Sequence, residues 1–255
     1  MTTKKTTIMK TSNKVLLAGV IITIIGGTAM ALWAKAAIKK HSLEGSGNII
    51  EQIREVESFT GVDVSHGITV QLSQGTTAEV KVESDDNIID HISTEVVDNV
   101  LKIRYKNMII SDAHTTVYVK AETLEKLRAS AGSQLRGDDL VRANNLSLKT
   151  SSGSVIDLNL EADTLTCKMS SGSTGDLKGK STFMELRMSS GSTLDAKDFQ
   201  SVSCTVKNSS GSESVLNVST TLNAKASSGS IISYKGNPEN VSSKESSGGS
   251  INKID

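Results

Sequence analysis

A serine-flanked glycine recurs seven times in the C-terminal half of the chain, at Gly132, Gly153, Gly172, Gly191, Gly211, Gly229 and Gly248, with successive spacings of 21, 19, 19, 20, 18 and 19 residues. A period this regular is the mark of stacked structural repeats, each burying its apolar side on its neighbours. Apolar residues keep fixed offsets from the glycine. Seven positions before it stand Leu146, Leu165, Met184, Cys204, Leu222 and Val241, and five before it Leu148, Cys167, Leu186, Val206, Ala224 and Ser243. Five positions after it come Leu158, Leu177, Ala196, Leu216 and Tyr234; three after it, Ile156, Leu194 and Ile232 alternate with Gly175 and Ser214. Offsets two apart are the alternation of strands with one buried face.

A repeat of about 19 residues is too short for a strand and a crossover helix, and the leucine-rich L-x-x-L-x-L-x-x-N pattern is missing. The spacing therefore predicts an all-β, single-stranded parallel β-helix over 129–255, its coils roughly 4.8 Å apart and the stack roughly 30 Å long. The glycine is expected at a corner that needs a positive φ. Ser151, Ser152 and Ser154 would stack on Ser170, Ser171 and Ser173, bonding to the turn backbone. A serine ladder could also bind glycans or accept modification, but its presence in every coil favours the structural reading.

Residues 45–128 lack the period and keep the alternation: Val62, Val64, Ile68, Val70 and Leu72, then Val80 and Val82, then Leu101, Ile103 and Tyr105, then Val117 and Val119. They read as strands, with a short helix over Ile88–Val97, and as a cap over the first coil, where open strand edges invite pairing with other chains. At the opposite end the inward columns turn polar at Ser243 and Glu245, and no dedicated cap is visible. That coil is expected either to fray or to dock another protein or a second copy of the chain.

The 255 residues carry 28 basic and 28 acidic side chains. Seven lysines and no acid fall in residues 1–42, so the remainder holds 21 basic and 28 acidic residues. A mildly acidic body argues against nucleic acid as partner. After a basic N-terminus over 1–14, the twenty residues 15–34 are uncharged, long enough to cross a bilayer as a helix, with Trp33 at the far end. The expectation is a single-pass membrane anchor in the cell envelope, a linker over 35–44 and an exported C-terminal domain. Ala29-Met30-Ala31 resembles a signal-peptide cleavage site, which would leave the body secreted or periplasmic. The long apolar run and Lys35, Lys39 and Lys40 after it favour retention. Four lysines before the run against three beyond give orientation little leverage.

Cys167 and Cys204 sit in different inward columns two coils apart, beyond disulfide reach, and read as buried apolar residues. No metal is implied by His41, His66, His91 and His114, which lack ligand spacing, and no cofactor fingerprint follows a strand. Asp138-Asp139 and Asp157 are the carboxylates an enzyme of glycosidic bonds would draw on. They fall in separate coils with no basic or aromatic companions, so no catalytic residue is assigned. Beyond Trp33 the aromatics are Phe59, Tyr105, Tyr118, Phe183, Phe199 and Tyr234, sparse for a sugar site built on aromatic faces. The glycosylation sequons at Asn145, Asn208, Asn217 and Asn240 read as chance matches in a serine-rich repeat.

Phe59-Thr60-Gly61-Val62-Asp63-Val64, then Gly67-Ile68-Thr69-Val70-Gln71-Leu72, then Asp85-Asp86-Asn87-Ile88-Ile89, then Val100-Leu101-Lys102-Ile103 and the Ser-Ser-Gly-Ser series occur in that order. In this arrangement residues 45–255 resemble the putative auto-transporter adhesin, head GIN domain family of exported bacterial proteins. The resemblance implies a β-helical cell-envelope protein, an adhesin or a scaffold for protein or glycan contact, without catalysis. The residues after Gly248 are not expected to form the strands of a membrane pore, which weighs against the literal auto-transporter part of that description. The alternatives are a β-helix that assembles end to end through its last coil, or serves envelope signalling, and, with less support, a polysaccharide-degrading enzyme.

Overall fold

The structure, a computed structural model, describes residues 26–28, 30, 42–106 and 109–255, and the chain divides into two compact units. In the smaller, Ser42–Glu44 pairs in parallel with Ile109–Ser111. Apart from the helical residues 26–28 and 30, the segment expected to span a membrane lies outside the described residues. Among the described residues, no helix is long and apolar enough to cross a bilayer.

The larger unit is an all-β helix. Five strands, Gln134–Thr150, Val155–Met169, Thr174–Met188, Thr193–Asn208 and Glu213–Ala226, stack in parallel, one per coil. The stack ends in Ile231–Lys235, Asn240–Glu245 and Ser250–Lys253. Fifteen extended residues would reach about 50 Å at a strand's rise, yet the next coil starts beside the last, so each strand must double back near its middle. The inward alternation Ile156, Leu158, Leu160 and Ala162 accordingly slips by one at Asp163-Thr164 and resumes as Leu165, Cys167 and Met169.

The columns read from the sequence are the core. Leu146, Leu165, Met184, Cys204 and Leu222 are register partners, each at most 3% exposed. So are Leu148, Cys167, Leu186, Val206 and Ala224. Each buried leucine is worth roughly 1.5–3 kcal/mol. Both cysteines are free, and burial pushes each thiol up to about 12, which leaves them packing groups. In the last coil the column reaches solvent at Val241, 46% exposed.

The corners are sharper than a lone glycine would make them. Each has two successive residues at positive φ, as in Ser152 (55°) and Gly153 (70°), and serine at such an angle costs about 1–2 kcal/mol. Hydrogen bonds offset that cost. The Gly153 N–H donates to the Ser171 carbonyl at 3.0 Å, and the same bond joins every pair of neighbouring corners up to Gly229–Ser247. Inside the corner, Ser154 is fully buried. Its Oγ accepts from the Ser151 N–H at 3.1 Å and donates to the Ala129 carbonyl at 2.9 Å. The inner serines are structural here because the backbone groups on the buried side of each corner need partners, while its tip at Ser152 and Gly153 is exposed.

A further corner, Ser65-His66-Gly67-Ile68, has φ of 66° and 76° at its centre, and its Gly67 N–H donates to the Ala131 carbonyl. It joins Gly61–Val64, which lies between Lys126–Ala129 and Val100–Tyr105, to Thr69–Gln74, which lies between Gln134–Thr150 and Thr115–Ala121. Spatial order thus departs from chain order. Beyond these layers pairing turns antiparallel: Ile92–Val97 covers Val100–Tyr105, Glu79–Asp85 covers Thr115–Ala121, and Ile49–Arg54 pairs with Glu79–Asp85. The helix expected over Ile88–Val97 is only a 3-10 turn at Ile89–His91 followed by strand; pairing with Val100–Tyr105 overrides the local preference.

The Asp85-Asp86-Asn87 run staples this end. Asp85, 2% exposed, accepts from the Gly47 N–H at 2.7 Å and the His114 N–H at 3.0 Å. Asp86 accepts from Ser46 Oγ and Asn48 Nδ2, bonds that hold its carboxyl below the ordinary value. Asn87 Oδ1 accepts from the Ser46 N–H at 3.1 Å.

Candidate contact surface

Between the inward residues at Leu148 and Thr150, alternation turns Lys149 outward, and every coil repeats the choice. Arg128, Lys149, Lys168, Arg187, Lys207, Lys225 and Lys244 are successive register partners, each four positions before a repeat glycine and each exposed. Seven cations thus form one row, with about 4.8 Å between coils. Repulsion along the row opposes folding and is weakened by salt. It is relieved at two places, by Asp63 at 3.8 Å from Arg128 and by Glu185 at 2.7 Å from Arg187. Burial raises the Asp63 carboxyl above its ordinary value despite Arg128 and Lys102 beside it. Among the described residues, no carboxylate stands within ion-pair distance of Lys149, Lys168, Lys207, Lys225 or Lys244.

The flanking columns are uncharged apart from Lys126 and Glu185. Ser147, Thr166, Thr205 and Asn223 lie on one side of the row, and Ser151, Ser170, Ser189 and Ser209 on the other. Between Lys149, Lys168, Arg187, Lys207 and the serines runs a shallow groove of about 350 Å³. A second, of about 400 Å³, opens beside Asn145, Ser147, Thr164 and Thr166. Phe183, partner of Thr164 and Ser203, stands in the same surface, 56% exposed.

The other lateral surface is acidic for three coils, where Asp157, Asp176 and Asp195 are partners. Partial burial works against the Asp195 carboxylate, but bonds from the Lys197 N–H and ammonium outweigh it and hold its pKa below the ordinary value. At the corner opposite the glycines, a groove of about 540 Å³ runs over Arg142, Glu161, Lys180, Ser181 and Val202. Glu161 there bridges Arg142 at 3.5 Å and Lys180 at 3.2 Å.

Of the residues singled out in the sequence, the seven glycines all have positive φ and stack at one corner through the hydrogen bonds already described. Asp157 belongs to the acidic row, Asp139 is exposed, and the side chain of Asp138 lies outside the described atoms. No cluster of His, Cys, Asp or Glu suited to a metal occurs among the described residues. The cation row is what reading for apolar periodicity missed. Its signal was a Lys or Arg at offset minus four in all seven repeats, a position that alternation marks as outward and hence as free of packing demands.

The family model described as putative auto-transporter adhesin, head GIN domain, matches residues 58–238. Comparison with curated proteins finds no match. Among solved structures, a putative adhesin from Bacteroides fragilis NCTC 9343 is 17% identical with a TM-score of 0.75, covering 83% of this chain and 100% of its own. A putative adhesin from Parabacteroides merdae ATCC 43184 is 15% identical with a TM-score of 0.72, at 84% and 100% coverage. A putative lipid binding protein from Parabacteroides distasonis ATCC 8503 is 18% identical with a TM-score of 0.69, also at 84% and 100%. At such identities the likeness is one of fold.

Proposed function

Because the chain belongs to the putative auto-transporter adhesin, head GIN domain family, we propose that it is a non-catalytic, adhesin-like protein of the cell envelope. Its β-helix displays a lateral surface for contact with a protein or glycan. Residues 15–34 hold it in the membrane with the β-helix on the outer side; if they are cleaved, the β-helix is released to the periplasm or beyond. The observation that carries the reading is the repetition of outward side chains in register along the coils, above all the row from Arg128 to Lys244. A closed active site needs a few groups converging on one point. A row of like groups at constant spacing suits an extended partner.

The test compares cells carrying the full-length chain with cells from which it has been deleted. The chain should fractionate with the envelope and react with antibody applied to intact cells, and its deletion should reduce attachment to host matrix or neighbouring cells several-fold. Recovery in the cytosol, or attachment unaltered by deletion, would overturn the reading.

A further inference from the structure

We infer that the surface centred on Lys149, Lys168, Arg187 and Lys207 binds a linear, negatively charged glycan, one anionic sugar to each coil or two. The inference rests on the contact role proposed above and names its partner class. Four observations converge on it. The cations lie in one straight row whose pitch is set by the sheet at roughly 4.8 Å, close to the length of one sugar in an extended chain. Five of the seven have no carboxylate at ion-pair distance among the described residues, so they are available to an external anion. Ser147, Thr166, Thr205, Ser170 and Ser189 flank the row with hydroxyls, donors and acceptors that match a sugar's own. Phe183 adds an exposed ring on the same surface, and rings pack against the apolar face of a pyranose.

The same features weigh against other polyanions. A nucleic acid needs a broad basic surface, whereas the row is one residue wide on a body in which acids outnumber bases 28 to 21 beyond residue 42. An anionic membrane asks for a two-dimensional basic patch, strengthened by inserted apolar residues, and among the described residues Phe183 is the one large apolar side chain more than half exposed on the strands of the row. Pairing with the acidic row of a second copy would engage three aspartates, Asp157, Asp176 and Asp195, against seven cations.

The full-length chain should bind fluorescent polygalacturonate, with affinity that falls as salt is added, and leave neutral dextran of similar length unbound. Lys149→Gln/Lys168→Gln/Lys207→Gln should weaken binding on the order of 100-fold, and Lys168→Gln alone about fivefold. Asp176→Asn, on the other surface, should leave binding unchanged. The triple variant should unfold at the same denaturant concentration as the parent or a higher one, since it removes like-charge repulsion; were it unfolded, Lys168→Gln carries the test. Equal binding of dextran, no loss in the lysine variants, or tighter binding of duplex DNA or of phosphatidylglycerol vesicles would overturn the inference. So would salt-sensitive dimerisation abolished by Asp176→Asn. The triple variant also separates this inference from the broader one. If cells bearing it attach as well as the parent while deletion abolishes attachment, the glycan inference falls and the contact role stands.

Discussion

Gly179→Ala is expected to destabilise the β-helix by on the order of 4 kcal/mol, and Gly153→Ala by only about 1–2 kcal/mol. Both glycines have positive φ, 111° at Gly179 and 70° at Gly153, so both substitutions carry backbone strain. They differ in what surrounds the new methyl group. At Gly153 a Cβ meets nothing within 4 Å, because the corner faces water. At Gly179, the register partner of Leu160, it would run into the Leu160 carbonyl oxygen of the preceding coil, and a backbone group held in the ladder cannot swing aside. Gly236, which meets the Val218 carbonyl in the same way, should behave like Gly179. Unfolding midpoints in urea decide the matter, and equal losses at Gly153 and Gly179 would mean that coil spacing tolerates the added atom. The glycines that mark the repeat in the sequence are thus expected to be the less sensitive ones.

Asp85→Ala should cost about 3 kcal/mol, since hydrogen bonds to a charged acceptor are the strong ones and removing a buried acceptor leaves its donors unpaired. The orphaned groups are the N–H of Gly47 and of His114. The loss should concentrate at the N-terminal end, where Ile49–Arg54 and Glu79–Asp85 pair. Hydrogen exchange should show those amides opening while Val155–Met169 stays protected. Asp85→Asn keeps one good acceptor and should cost roughly half as much. Uniform loss of protection along the whole stack would contradict a local staple.

The parts of this fold that could be read from the sequence are those where packing repeats. Leu165, Met184 and Cys204 announce an interior because each coil must refill the same space, and Gly153 and its counterparts announce a corner because the turn demands positive φ. What escaped reading depends on pairing between distant residues. Gly61–Val64 joins the stack beside Lys126–Ala129, a connection that no local pattern records. The corner at His66-Gly67 has the backbone of the others without their serines on both sides. Ser152 and its equivalents share the left-handed conformation with the glycine, although serine has no preference for it. The cations of the contact surface were in plain view in the sequence, but a lysine on a strand's outer side is ordinarily solvated and unremarked; only register shows that seven of them line up.

In-register stacking is the claim on which both the core and the cation row depend, and a pair of engineered disulfides measures it. Lys149 and Lys168 are partners on adjacent coils, about 4.8 Å apart at their backbones, which is within disulfide range. Lys149 and Arg187 are two coils apart, at roughly twice that separation and beyond it. Mild oxidation should therefore close an intramolecular disulfide in Lys149→Cys/Lys168→Cys and leave Lys149→Cys/Arg187→Cys reduced, with Cys167 and Cys204 inert in both because they are buried. Equal oxidation of the two pairs, or closure of the second alone, would contradict one cation per coil and the surface built on it.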